Sequence, residues 1–136
     1  MVFWKKSKPV SYIELKKKKG IKSLESWIHN SITIIKDKNL LISKRLYIIS
    51  YFIGSVGRLC NNENLADHVD EIAYAVLPRL NFSEKEIENR YIDYSNSKWT
   101  AIETEYFWQG SENFLRWKYE KDKEAEKALF FSLVNS

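Results

Sequence analysis

The sequence predicts an all-α, single-domain bundle of about six helices, and three observations carry that reading. Four Gly and two Pro in 136 residues leave little of the turn punctuation that a many-stranded sheet needs. Apolar residues recur at three- and four-residue spacing through most of the chain. Several segments open on residues that cap helices. An apolar share of 44% with 15% aromatics excludes a disordered chain, and 136 residues leave no room for a second core.

Residues 1–136 are therefore read as one helical domain, with residues 1–22 as a lysine-rich N-terminal arm or first helix. Pro9 suits a first helical turn, Val10 and Ile13 follow it, and Gly20 reads as a stop. Ile21, Leu24, Ile28, Ile32 and Ile35 then mark an amphipathic helix over about residues 22–37. From Leu40 to Leu59 apolar residues occur on all sides, as in a deeply buried helix, although the β-branched run 46–53 also suits a strand. Asn64 stands where a cap for the next helix would. That helix is marked by Leu65, Val69, Ile72, Ala73, Val76 and Leu77, and Pro78 ends it. Ser83-Glu-Lys-Glu86 is a capping box, with Phe82 placed to staple onto Ile87, and its helix should reach about Tyr94. Segment 98–120 fits a helix through Trp99, Ile102 and Tyr106. It also alternates about Gln109-Gly110-Ser111, so a short β-hairpin near residues 100–120 is the competing reading. Glu120 to Val134, rich in Lys, Glu and Ala, reads as the last helix.

The bulk numbers limit the function. The single cysteine, Cys60, cannot form an intrachain disulfide, which favours a reducing cytoplasm. The start Met1-Val2-Phe3-Trp4-Lys5-Lys6 lacks the apolar centre of a signal peptide. The most hydrophobic stretch, Leu46 to Gly57, would span about 18 Å as a helix against ~30 Å of bilayer core, so no membrane span is expected. One Cys with His29 and His68 cannot build a zinc site without carboxylates or a second chain, and no metal or cofactor is expected. Glu25 with His29, and His68 with Glu71, each share a helix face, but surface ion pairs explain them as well as a metal does. Neither histidine lies in a nuclease or Ser-His-Asp pattern, and Gly54-Ser-Val-Gly57 is too short for a phosphate loop. The chain does not read as an enzyme.

Charge is the remaining signal. Residues 1–58 carry 13 Lys and Arg against three acids, whereas residues 59–136 carry nine against 15. Such a split points to two binding faces or to one half masking the other. Lys5, Lys6, Lys8, Lys16, Lys17, Lys18, Lys19 and Lys22 form a basic arm that would suit a nucleic acid, an acidic protein or a membrane surface. No arginine precedes Arg45, which weakens the nucleic-acid reading. In the other half, carboxylates lie among aromatics, as on a surface that binds a basic protein. Asp67, Asp70, Glu71, Glu103 and Glu105 are the candidate steering acids, with Tyr106 and Trp108 as candidate anchors. The expected function is non-catalytic binding that neutralises a partner, as an immunity protein or antitoxin does to a bacterial toxin with a basic surface. Nucleic-acid binding or transcriptional regulation through the lysine-rich N-terminus is the alternative.

Overall fold

Good helix formers fill the first third of the chain, and they give one helix where two were expected. The computed structural model describes the backbone of residues 2–136 and the side chains from Tyr12 onward. Helix α1 runs unbroken over Val2–Ile34. Gly20, read as a stop, sits inside it. A Cβ at this position would stand 2.6 Å from Leu59 Cδ2, so the glycine makes room for a leucine and the lysines around it continue the helix. Leu24, Trp27 and Ile28 form its buried face. The helix ends at Ile34, short of the expected residue 37, because Asp37 caps the next element. Its carboxylate accepts from the N–H groups of Asn39 at 2.9 Å and Leu40 at 3.3 Å, opening α2 (Lys38–Ser43).

Lys44 interrupts the long helix expected over residues 40–59, and α3 follows as Arg45–Asn62. The run 46–53 is helical rather than extended. Every residue from Ile48 to Val56 is buried, and burial on all sides overrides the local β propensity. Asn64 does not cap a helix. With φ of 57° it takes the left-handed conformation that Asn tolerates, and it turns the chain into a 3-10 turn at Ala66–His68. Helix α4 (Val69–Val76) comes next, followed by a second 3-10 turn, Leu77–Leu80, that holds Pro78 in its first turn. The Ser83 capping box forms as the sequence indicates. Ser83 Oγ accepts from the Glu86 N–H at 3.2 Å, and Glu86 Oε1 accepts from the Ser83 N–H at 3.1 Å, opening α5 (Glu84–Ser95). Phe82 and Ile87 are both buried, as a staple requires.

The hairpin reading near residues 100–120 is corrected. Helix α6 spans Ala101–Tyr119, and no strand occurs among the described residues. A second capping box starts it: Thr100 Oγ1 accepts from the Glu103 N–H at 3.1 Å, and Glu103 Oε1 from the Thr100 N–H at 3.0 Å. Gly110, which resembles a turn residue in the sequence, lies where α6 crosses α3. A Cβ on Gly110 would stand 1.7 Å from Tyr51 O, and one on Gly54 would stand 1.9 Å from Phe107 O. The two backbones touch. The last helix is also shorter than expected. Lys121, at φ of 57°, closes α6, a 3-10 turn at Lys123–Lys127 follows, and α7 covers only Ala128–Val134.

The architecture is all-α, with seven α-helices among the described residues. Helices α3 and α6 form the central pair, and α1 packs against both through Trp27. The Trp27 indole donates to Ser55 Oγ at 2.9 Å, and Ser55 Oγ donates to Gly110 O at 3.0 Å, which satisfies buried polar groups at the crossing. The Trp27 ring also lies 5.9 Å, centroid to centroid, from Phe114 of α6. Among the described residues, no helix is long and apolar enough to cross a membrane.

Candidate protein-docking surface

Helix α5 is tied to the central pair by a small polar network. Arg90 pairs with Glu103 of α6 and donates to Ser50 Oγ of α3 at 3.0 Å. Its guanidinium carbon lies 4.7 Å from the centroid of the Trp99 ring, and the Trp99 indole donates to Arg90 O at 3.0 Å. Burial pushes the Glu103 carboxyl up, but the Thr100 N–H and the Arg90 guanidinium outweigh it and hold the group below its ordinary value. Through Nη2 of Arg90 the pair ties α5 to the first turn of α6.

On this clamp stands a run of aromatic rings. Tyr94 packs edge-on against Trp99 at 5.0 Å and stacks on Phe107 at 5.4 Å, and Phe107 meets Trp108 edge-on at 5.0 Å. Trp99 is buried, Phe107 half-buried and Tyr94 exposed, while Trp108 leaves 58% of its surface open. Beside Trp108, a groove of about 330 Å³ runs between α3 and α6, lined by Gly57, Arg58, Asn61 and Ser111. A Cβ on Gly57 would meet nothing within 4 Å, so this glycine leaves the groove open. Arg58 Nε donates to Ser111 Oγ at 2.9 Å, which lays its side chain along the groove. Glu105 and Glu112 are exposed one helical turn to either side of Trp108. An exposed tryptophan, a neighbouring arginine and a shallow groove are the ingredients that dominate protein–protein binding energy.

The candidate residues from the sequence are distributed unevenly over this geometry. Trp108 and Glu105 lie together on the exposed side of α6. Tyr106 does not join them: it is 3% exposed and stacks on Tyr47 at 5.1 Å, so it is a core residue and no anchor. Glu103, 7% exposed, is likewise taken up by the cap and Arg90 and cannot steer a partner. Asp67 and Asp70 are exposed at the start of α4, on a different element. Glu71 is committed to Lys17, whose Nζ lies 2.9 Å away, and has His68 Nδ1 at 3.4 Å. Lys17 and then His68 hold the Glu71 carboxyl below its ordinary value. Tyr94, one of the aromatics that lie among the carboxylates in the sequence, belongs to the surface, as do Phe107, Gly57 and Arg58, which charge and alternation did not single out. The adjacent pair Phe107-Trp108 was the available signal: with Tyr106 and Gly110 turned inward on a helix, Trp108, about 200° from each, falls on the outer side.

In the basic arm, Lys5, Lys6 and Lys8 lie outside the residues whose side chains are described. Lys18, Lys19 and Lys22 are exposed and Lys16 half-exposed, but Lys17 is buried between Glu14 and Glu71, which raise its pKa in that order. Of the paired histidines and glutamates, Glu25 accepts from Arg79 Nε at 2.9 Å rather than from His29, and Glu71 sits between Lys17 and His68. Among the described residues, no group of three or more His, Cys, Asp or Glu could hold a metal ion. Burial pushes the Cys60 thiol up to about 11, which suppresses its reactive thiolate at neutral pH. No protein-family model, no curated protein and no solved structure matches this chain.

Proposed function

We propose that this chain is a non-catalytic binding protein that captures a protein partner on the Tyr94–Phe107–Trp108 surface and neutralises it, as an immunity protein or antitoxin does. The observation that carries the reading is Trp108. A large aromatic held 58% open on a rigid helix, backed by two further rings and a groove, loses little conformational freedom on docking. Glu105 and Glu112 beside it, with Asp67 in the 3-10 turn before α4 and Asp70 on α4, favour a partner with a basic surface. Small size and an acidic second half fit a neutralising role toward a toxin domain.

The partner is found by affinity purification from the native cell and then studied purified. Trp108→Ala should speed dissociation and weaken binding by about 2 kcal/mol, roughly 30-fold in Kd, with the circular dichroism spectrum unchanged. Reversing Glu105 and Glu112 should slow association and flatten its salt dependence. The same partner should lose its toxicity when co-expressed with the wild-type chain and keep it with Trp108→Ala. An unaltered Kd for both variants would remove this surface from the account.

A further inference from the structure

The basic arm supplies a second surface, on an element that the aromatic run does not touch. Residues 12–15 are exposed on every side of α1, Tyr12 at 63% and Leu15 at 49%. This free stretch ends where Lys17 turns inward, its Nζ 2.6 Å from Glu14 and 2.9 Å from Glu71. With Lys17 fixed toward the body, helical geometry sets Tyr12, Leu15, Lys19 and Lys22 on the opposite side. Lys16 flanks them, its ammonium 5.3 Å from the centroid of the Tyr12 ring, and Lys18 is exposed. In the sequence the same three- and four-residue spacing continues back through Lys8 to Trp4. Residues 1–22 hold eight lysines and a single acid, Glu14.

We propose that this face of α1 binds an anionic lipid surface and lies in the plane of the headgroups. Two features select lipid over nucleic acid. Phosphate contacts alone would leave Leu15 in water, whereas a headgroup interface takes up Leu15 and the Tyr12 ring and attracts the lysines together. Lysine without arginine suits attraction to a smeared negative surface, whereas paired readout of phosphates or bases favours arginine. A membrane attachment of this kind needs two signals, and the helix has both: a polybasic set and side chains to insert. Tyr12 suits the boundary, with its ring in the apolar zone and its hydroxyl in water.

The test uses the full chain and sedimentation with lipid vesicles. Vesicles of phosphatidylcholine with about 30 mol% phosphatidylserine should bind the chain at least tenfold more strongly than phosphatidylcholine alone. Raising the salt to about 0.5 M should weaken that binding by a similar factor. Replacing Lys16, Lys18, Lys19 and Lys22 by Gln should cost about tenfold, and Tyr12→Ser with Leu15→Ser several-fold at unchanged charge. All six side chains lie at the surface, and circular dichroism verifies the fold of each variant. Failure to sediment with anionic vesicles overturns the proposal, as does sedimentation that neither variant set alters. Salt-sensitive binding of a duplex oligonucleotide that survives the Tyr12 and Leu15 changes, without vesicle binding, would assign the arm to nucleic acid instead.

Discussion

A glycine has three different meanings in this molecule, and only space distinguishes them. At Gly54 and Gly110 an added methyl group would run into the backbone of the opposite helix, at 1.9 and 1.7 Å, where no side-chain rotation can relieve it. Gly54→Ala and Gly110→Ala should each lower stability by on the order of 3 kcal/mol, measured by urea unfolding. At Gly57 there is open space, so Gly57→Ala should raise stability by about 0.5–1 kcal/mol through helix propensity alone. A neutral result at Gly54 or Gly110 would mean that the crossing is looser than the distances state. Only part of this was legible in the sequence, where Gly54 and Gly57 alike read as sites of close packing or a helix end, Gly20 as a stop and Gly110 as a turn. Tyr106 and Trp108 show the same limit. Two residues apart, they share a side in a strand but lie about 200° apart on a helix. Choosing both as anchors therefore suited the hairpin and not α6, which sends one inward and the other out.

Among the elements, local signals were the readable ones. The Ser83 box, the Phe82 staple and the end of α5 follow from residues within a few positions of one another. The bond that holds α5 to α6 was not readable, because nothing in the spacing of Arg90 and Glu103 marks them as partners. Removing one member of a buried pair leaves the other charge stranded. Arg90→Met should thus cost about 3–5 kcal/mol, and the double variant Arg90→Met, Glu103→Gln should recover part of the loss, read from a double-mutant cycle of thermal or urea unfolding. The folded state also holds Glu71, Glu86, Glu103 and Asp122 more acidic than in the unfolded chain. As pH falls below their ordinary values, the unfolded chain takes up these protons first. Stability should accordingly be fully present near neutral pH and decline from about pH 4.5 downward, seen as a falling unfolding midpoint in acid titrations.

At the scale of the whole molecule, the charge split of the sequence is partly cancelled by folding. Lys17 meets Glu71 and Arg45 meets Glu86, each pairing the basic first part with the acidic second. Lysines of α1 and carboxylates around Trp108 stay exposed, so one half masks the other only in part. The contact of α3 with α6 has a consequence for how this chain tolerates change. It pins together two points about 55 residues apart, and the large loop between them is tied back to the body at further points, among them Arg90 to Ser50 and Lys17 to Glu71. Doubling a loop of that size costs only about 0.6 kcal/mol more in closure entropy. The exposed turn at residues 96–98 can therefore gain residues with little closure penalty, while the crossing admits not even a methyl group. Variation in length is free where variation in volume is forbidden.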